Sequence, residues 1–211
     1  MDESSPFCDA CKNKIVFIND KICDKCGAPV VAGKVCDKCK NSKYHFDKAR
    51  AVVSYNEFSS PMITKFKYAK AKYLENRLSE FLVQAYKKYP EIEADIITFI
   101  PMTQKKLKDR GFNQTEALAI LLGKNVDVEV KNLLVKTKET VAQAGLEKDK
   151  RLENIQGSFE INKELKKLIK NKRILIVDDV FTTGSTSNEC AKVLKKAGAS
   201  SVFVLTVAKT L

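Results

Sequence analysis

The sequence predicts an α/β protein in which a mainly parallel sheet is flanked by helices and preceded by a small cysteine-rich segment. Six of the seven cysteines lie within the first 39 residues. Beyond residue 48, short aliphatic runs alternate with segments whose apolar residues recur at helical spacing. Strands separated by helices are typical of a parallel sheet. We therefore divide the chain into a cysteine-rich segment, residues 1–48, and a larger domain, residues 49–211.

The elements of the larger domain follow from its apolar pattern. The predicted strands are residues 49–55, 95–101, 126–130, 174–177 and 202–208. The predicted helices are two within residues 60–89, closed by Pro90, one at 113–123 with a polar start and a glycine end, and one that ends near Gly198. Ligands of parallel sheets bind beyond the carboxyl ends of the strands, so the residues that follow each strand are the candidate site residues.

Three CxxC pairs in the first segment predict a metal site. Such pairs favour metal binding over disulfides in a cytosolic chain. Two pairs supply the four thiolates of a tetrahedral zinc site. The favoured set is Cys23, Cys26, Cys36 and Cys39, because Gly27 and Pro29 suit a knuckle and the spacer of nine residues suits a hairpin. In the competing set, Cys8 and Cys11 join Cys23 and Cys26.

The zinc in this segment is expected to be structural. The segment has few large apolar residues, so it needs a metal ion to fold. A redox role for one CxxC pair is the alternative, but no strand and helix flank the pairs as a thioredoxin-like motif requires. His45, the only histidine, is expected to be a surface or packing residue and not a ligand. Cys190 is expected to be a small buried residue of a helix.

The stretch ILIVDDVFTTGST, residues 174–186, contains most of the candidate ligand-binding residues. Its aliphatic run, residues 174–177, predicts a strand covered on both faces. Asp178 and Asp179 are expected at the end of that strand, facing a cation or hydroxyl donors, because adjacent carboxylates are costly to bury unpaired. Residues 182–186 lead into a helix, and Gly184 lets the backbone approach a ligand closely. Helix amides and hydroxyls in such a loop form an anion site.

An ordinary polar turn between strand and helix is the alternative interpretation of this stretch, and its spacing differs from a Walker loop and from GxGxxG. It resembles the signature of type I phosphoribosyltransferases. The resemblance implies that Asp178 and Asp179 bind the ribose hydroxyls of phosphoribosyl pyrophosphate (PRPP) and act as the catalytic residues. It also implies a loop for the 5-phosphate, made by Thr182, Thr183, Gly184, Ser185 and Thr186.

A basic cluster follows the predicted strand at 95–101. It contains Lys105, Lys106, Lys108 and Arg110, beside Gly111. A solvated basic loop is one interpretation. The other is a pyrophosphate site, because that anion needs cationic and amide donors opposite the ribose phosphate.

The order of the motifs narrows the resemblance to the ComF family, in which a phosphoribosyltransferase-like domain follows a zinc ribbon. The matching features are the CxxC pairs, IxxFKYAKAKYL at 63–74, IPMTQKKLKDRGFNQ at 100–114, Gln143, KRLENIQGSF at 150–159 and the stretch at 174–186. Many relatives carry four CxxC pairs in a double ribbon. This chain has three, and Cys8 and Cys11 resemble the second pair, which leaves them without obvious partners.

The resemblance also implies a function in DNA uptake during natural competence, beside a competence helicase as partner. Arg110, Gly111, Asn113 and Gln114 match the family's RGFNQ segment and are expected on the pyrophosphate or acceptor side of the pocket. Lys150, Arg151 and Asn154 match a basic segment that in phosphoribosyltransferases often closes over pyrophosphate. Mg²⁺ is expected to bridge pyrophosphate and ribose oxygens. Nothing in the sequence identifies the acceptor.

The charge supports a second class of function. The net charge is +12, of which +2 lies in residues 1–48 and +10 in the larger domain. A pI of about 9.3 attracts polyphosphates of any kind, including single-stranded DNA. The aromatic candidates for base stacking, Tyr68, Tyr73 and Phe112, are scattered, so sequence-specific readout is not supported. The alternative to a transferase is therefore a binding protein that handles single-stranded DNA and in which the PRPP pocket is regulatory.

The sequence also predicts a cytoplasmic protein without membrane insertion. No apolar run approaches the length of about 18 residues that a membrane span needs. The first residues, MDESSPFC, lack the basic and then apolar order of a signal peptide.

Overall fold

The structure is a computed structural model that describes residues 14–18, 21–68, 72–139 and 155–211. Several predictions made from the sequence lie outside the described residues. They concern Cys8, Cys11, Gln143, Lys150, Arg151, Asn154 and the side chains of Tyr68 and Tyr73.

A mainly parallel sheet flanked by helices forms the larger domain, as predicted. The strands are β1 (Lys48–Ser54), β2 (Ile96–Phe99), β3 (Leu134–Lys136), β4 (Phe159–Ile161), β5 (Arg173–Phe181) and β6 (Ser201–Lys209). The helices are α1 (Asp37–Lys40), α2 (Ser59–Tyr68), α3 (Lys72–Lys88), α4 (Gln104–Arg110), α5 (Gln114–Val126) and α6 (Ser185–Lys196), with 3₁₀ turns at Pro90–Ile92 and Lys163–Leu168. The central sheet is parallel with the order β1–β6–β5–β2, and β3 and β4 form an antiparallel hairpin.

Strand β5 lies inside the sheet and is covered on both faces. The side chains of Ile174 and Ile176 belong to one hydrophobic cluster, and those of Leu175 and Val177 belong to another. All four are fully buried, so the unbroken aliphatic run is explained by a strand with two apolar faces. Helices α2, α3 and α5 cover the first face, that of Leu175 and Val177. Helix α6, the hairpin and the cysteine-rich segment cover the second face, that of Ile174 and Ile176.

The predicted strand at 126–130 is wrong. Helix α5 continues to Val126 and ends at Asp127, which has a left-handed φ of 54°. Val130 alone returns to the sheet, through one parallel bridge to Ile97. Gly123 does not end the helix. It lies inside α5, where a Cβ would collide with the Val130 side chain, so the glycine allows the returning chain to pack closely.

Two further differences concern the segments around the candidate site. The basic cluster expected as a loop forms helix α4, which begins after Thr103 and ends at Gly111 with a φ of 83°. Strand β5 continues past the aliphatic run to Phe181, because Val180 and Phe181 still pair with β6. Asp178 and Asp179 therefore lie within the last part of the strand and not after it.

None of the helices within the described ranges is long and apolar enough to cross a membrane.

Candidate functional site

The turn between β5 and α6 forms a small polar pocket. Gly184 has a φ of 79°, and a Cβ at this position would collide with the Phe181 ring. Both facts require glycine here. The hydroxyl oxygens of Thr183 and Ser185 are 2.8 Å apart, and the Ser185 N–H donates to Thr183 Oγ1 at 3.3 Å. The pocket is lined by Asp178, Val180, Phe181, Thr182, Gly184, Ser185, Thr186 and Ser187.

The pocket lies at the N-terminus of α6, a helix of 12 residues. The positive end of its dipole, the first-turn amides and the clustered hydroxyls favour an anion. Four of the five predicted loop residues, Thr182, Gly184, Ser185 and Thr186, thus line the pocket beside Asp178. The fifth, Thr183, is joined to them through its contacts with Ser185.

Asp179 is buried and held by two side chains from the helices on the first face of the sheet. Its Oδ1 lies 3.0 Å from Lys67 Nζ, and its Oδ2 accepts a hydrogen bond of 2.8 Å from Gln114 Nε2. Burial alone lowers the pKa of Lys67, but the Asp179 carboxylate outweighs it and raises that pKa. Lys67 lies in the IxxFKYAKAKYL motif at 63–74, but the motif assigned it no role, because it lies 112 positions before its partner.

The RGFNQ segment holds this carboxylate in place. Arg110 Nη1 donates to Gln114 Oε1 at 2.8 Å, so the Gln114 amide is oriented with its nitrogen toward Asp179. Asn113 begins α5 and donates from Nδ2 to the Ile100 carbonyl at 3.1 Å, which ties the helix to the end of β2. The structure therefore places Gln114 against one of the paired aspartates, a contact that the motif did not predict.

Asp178 projects to the opposite face of the sheet from Asp179, as alternation along a strand requires. It is half-buried, and its Oδ1 accepts the Asp179 N–H at 2.8 Å. Burial and then the neighbouring Asp179 carboxylate raise the pKa of Asp178 to about 8, although Lys67 and Lys136 oppose the shift. The fold therefore holds a carboxyl group that resists ionisation beside an anion pocket.

This raised pKa predicts a stability cost that depends on pH. A carboxyl group whose folded pKa is raised destabilises the fold as pH rises from the unfolded value, 3.8, to the folded value, about 8. We expect Asp178→Asn to be more stable than the natural protein by about 1–3 kcal/mol at pH 8, with a smaller gain at pH 5. Urea denaturation at both pH values measures the difference.

Asp127→Asn is the matched control, because Asp127 is exposed and asparagine tolerates its left-handed backbone. Its effect should not change between pH 5 and pH 8. A stability gain for Asp178→Asn that is equal at both pH values, or a loss at pH 8, would contradict the explanation.

Basic side chains lie on both sides of the paired aspartates. Lys136 interacts with Lys106 and Asp178. Arg110 contacts Gln114, which holds Asp179. Lys106 and Arg110 of α4 are half-buried, whereas Lys105 is exposed. Lys136, at the end of β3, lies 5.5 Å from the centroid of the Phe159 ring. Burial, followed by repulsion from Lys106, lowers the pKa of Lys136, and Asp178 opposes this shift. The sequence did not point to Lys136, because the hairpin that places it pairs Lys136 with Phe159, 23 positions away.

The structure brings together the favoured set of cysteines. The Sγ atoms of Cys23, Cys26, Cys36 and Cys39 all lie within 4.8 Å of one another. Cys26 Sγ and Cys36 Sγ are 3.7 Å apart. A tetrahedral zinc ion with bonds of about 2.3 Å requires sulfur atoms about 3.8 Å apart, so the cluster fits zinc.

Backbone donors favour the thiolate form of Cys23, whereas burial raises the pKa values of Cys26 and Cys39. Burial raises the pKa of Cys23, but backbone hydrogen bonds from Cys26, Cys36 and Lys25 outweigh it and lower the value to about 7. The Cys36 N–H lies 3.4 Å from Cys23 Sγ. Gly27 has a φ of 69°, and its missing Cβ leaves room for the Ala49 carbonyl, so this glycine suits the knuckle as predicted.

His45 and Cys190 behave as expected from the sequence. His45 is exposed and lies outside the cysteine cluster, and its backbone N–H donates to Asn188 Oδ1 at 2.6 Å. Cys190 is fully buried in α6. Burial and then Asp178 raise its pKa well above the usual range, so the thiol stays protonated.

Comparisons with known proteins agree with this architecture. A double zinc ribbon domain matches residues 1–40, and a phosphoribosyl transferase domain matches residues 108–210. Competence protein F of Haemophilus influenzae is 28% identical over 96% of this chain and 90% of its own length. DNA utilization protein YhgH of Escherichia coli K12 is 27% identical over 97% of this chain and 90% of its own length. The solved glutamine PRPP amidotransferase from B. subtilis, complexed with ADP and GMP, gives a TM-score of 0.41 at 22% identity, over 63% of this chain and 25% of that chain.

The parallel sheet, the turn between β5 and α6 and the four-cysteine cluster define a type I phosphoribosyltransferase-like protein with an N-terminal zinc ribbon. The predicted resemblance to the ComF family is borne out, since both parts occur in order and relatives named for competence and DNA utilization match nearly the whole chain.

Proposed function

We propose that this protein binds PRPP together with Mg²⁺ and transfers its phosphoribosyl group to an acceptor, with release of pyrophosphate. One observation carries the proposal. Two aspartates at the end of the central strand β5 lead directly into a turn whose hydroxyls and helix amides suit a phosphate. A site that binds ribose 5-phosphate needs carboxylates that accept from the vicinal hydroxyls and a turn that binds the phosphate ester.

The contacts around Asp179 leave room for sugar hydroxyls. An ionised carboxylate offers about four acceptor positions. Lys67 and Gln114 occupy one position on each oxygen of Asp179. The remaining positions can accept from ribose hydroxyls, while Lys67 offsets the cost of burying the charge. Asp178, on the other side of the strand, would bind the other ribose hydroxyl.

The cations support a pyrophosphate site beside the paired aspartates. Lys136 of β3 interacts with Asp178 and with Lys106 of α4. Arg110 of α4 contacts Gln114, which holds Asp179 on the other side of the strand. Pyrophosphate carries several negative charges and is well matched by such a set. Lys105, Lys150 and Arg151 remain candidates for the same anion on the strength of the family resemblance.

Magnesium would enter with the substrate. Within the described part of the chain, the four cysteines are the only group of His, Cys, Asp or Glu side chains clustered as metal ligands. Mg²⁺ prefers oxygen ligands and is usually held by substrate phosphates and few protein groups. It would neutralise part of the charge that develops on pyrophosphate.

In the transfer step, the bond between the ribose C1 and pyrophosphate breaks and a bond from C1 to the acceptor forms. Positive charge develops on the sugar, and Asp179 stabilises it, joined by Asp178 once the pH is high enough to ionise that carboxyl group, whose pKa is about 8. The basic side chains stabilise the leaving pyrophosphate. The acceptor gives up its proton on bond formation. Screening nucleobases, amines and single-stranded DNA for pyrophosphate release tests the step. A release rate equal to that with the Asp178→Asn/Asp179→Asn variant, for every acceptor, would reject catalysis.

Lys136 offers a test of the pyrophosphate assignment. Methionine keeps the apolar stem against Phe159 and removes the charge. We expect Lys136→Met to weaken binding of magnesium pyrophosphate about tenfold and to leave binding of ribose 5-phosphate unchanged, as measured by calorimetry. Lys124→Met, at an exposed position of α5, is the control. Equal losses for the two ligands, or none, would remove Lys136 from the pyrophosphate site.

The second candidate is a protein that handles single-stranded DNA and in which bound PRPP is regulatory. It is favoured by the net charge of +10 in residues 49–211 and by the names of the relatives, which refer to competence and DNA utilization. A competence helicase would be its partner. Binding to single-stranded DNA at several salt concentrations, with and without PRPP, tests this candidate. Binding that disappears at physiological salt would reflect net charge alone.

A further inference from the structure

The chain that leaves the cysteine cluster runs along the turn between β5 and α6. The Tyr44 hydroxyl donates a hydrogen bond of 3.2 Å to the Thr183 carbonyl, inside the candidate phosphate loop. The next residue, His45, donates from its backbone N–H to Asn188 Oδ1 at 2.6 Å, in the first turn of α6. Two consecutive residues of the cysteine-rich segment thus contact the loop and the helix that follows it.

An aromatic stack continues this contact beneath the loop. The rings of Tyr44 and Phe46 are stacked with centroids 4.7 Å apart, and Phe46 meets Phe181 edge to face at 5.9 Å. The Phe181 ring fills the space next to Gly184 that a Cβ would need. Phe46 and Phe181 are both buried. The loop therefore packs on the Phe181 ring, and the cysteine-rich segment supplies the Phe46 ring that packs against Phe181.

The cysteine cluster forms the base of this stack. Cys23, Cys26 and Cys39 belong to the same hydrophobic cluster as Phe46 and Phe181. The segment is docked on the sheet by backbone contacts as well, because the Ala49 N–H donates to the Lys25 carbonyl at 2.7 Å.

A buried lysine links the metal site to the stack. Lys209 Nζ lies 3.8 Å from the centroid of the Phe181 ring, and the residue is 4% exposed. Burial lowers the pKa of Lys209, and negative charge on Cys26 and Cys39 opposes this shift. A zinc ion with four thiolates has a net charge of about −2, which a neighbouring buried cation complements.

We propose that the zinc ribbon positions the phosphate loop and that Tyr44 is the positioning residue that connects them. Loss of the metal releases the segment that carries Tyr44 and Phe46. The loop then loses the hydrogen bond to the Thr183 carbonyl and the packing of Phe46 against Phe181. The inference deepens the proposed function and rests on it for the identity of the loop's ligand, a phosphate ester.

The first test is Tyr44→Phe in the full zinc-loaded protein, because it removes only the hydroxyl. Tyr86→Phe is the matched control. Tyr86 lies on helix α3, and its hydroxyl also bonds one backbone group, because it accepts from the Ala94 N–H. We expect Tyr44→Phe to weaken binding of ribose 5-phosphate about five- to tenfold by calorimetry. Amides of residues 182–186 should exchange faster with solvent. Zinc content should stay at the natural level.

The second test removes the metal with a chelator and follows amide exchange. Exchange at residues 182–186 should accelerate, while the amides of β2 stay protected. Unchanged exchange at 182–186 after complete zinc loss would overturn the inference, as would a Tyr44→Phe protein that matches Tyr86→Phe in loop exchange. If the natural protein binds no ribose 5-phosphate, the proposed function fails, and the exchange measurements still decide whether the ribbon positions the loop.

Discussion

Replacing Asp178 and Asp179 together by asparagine will lower the affinity for magnesium PRPP by about 100-fold or more. Each aspartate is proposed to accept hydrogen bonds from ribose hydroxyls, and a hydrogen bond to a charged group contributes about 1.5–3 kcal/mol. Two such losses exceed the roughly 2.7 kcal/mol that corresponds to 100-fold in affinity. Calorimetric titration of the variant and the natural protein above pH 8, where Asp178 is also ionised, measures the change.

Asparagine is chosen because it keeps the shape of the site. It retains one oxygen that can accept from Gln114 or Lys67 at position 179, and at position 178 it removes a carboxyl group whose raised pKa destabilises the fold. Asp127→Asn is the control, at the far end of α5, a helix of 13 residues and therefore about 20 Å long. Affinity of the double variant within threefold of the control would show that the aspartates do not bind the sugar.

Replacing Cys26 by serine will remove one equivalent of zinc and unfold the ribbon. The four sulfur atoms form one cluster, and a site that loses a thiolate binds zinc far more weakly. Metal binding to structural sites of this kind contributes on the order of 10 kcal/mol to folding. We expect the variant to lose amide protection throughout residues 21–47 and to melt at a lower temperature. Zinc analysis and hydrogen exchange measure both effects.

Cys190→Ala is the control for this change. Cys190 is buried in α6 and its sulfur lies outside the metal cluster. Its removal should leave the zinc content unchanged and cost no more stability than a small cavity, about 1 kcal/mol. A Cys26→Ser protein with its full zinc content would contradict the assignment of this cysteine as a ligand.

The sequence predicted the parts of the fold that depend on neighbouring residues. The aliphatic run at 174–177 is explained by apolar packing on both faces of β5, and the CxxC spacing places thiols in tight turns. The turn at 182–186 was predictable for the same reason, because a glycine with positive φ and a helix start are local features.

The remaining parts of the site depend on the fold as a whole. Lys67, Gln114 and Lys136 come from α2, α5 and β3, and only the sheet and its helices bring them to the end of β5. Apolar and polar residues alternate at 126–130 as in a strand, but helix α5 continues through Val126 instead. Side-chain alternation within five residues cannot decide between a strand and a helix end followed by an extended segment.

In the proposed function, the end of β5 and the turn after it bind PRPP. Calorimetric titration of the intact, zinc-loaded protein with PRPP and Mg²⁺ tests it most directly. We predict saturable binding of one PRPP per chain, weaker binding of ribose 5-phosphate, and loss of both in the Asp178→Asn/Asp179→Asn variant. Absence of binding by the intact protein at millimolar PRPP, or equal binding by the double variant, would contradict the account.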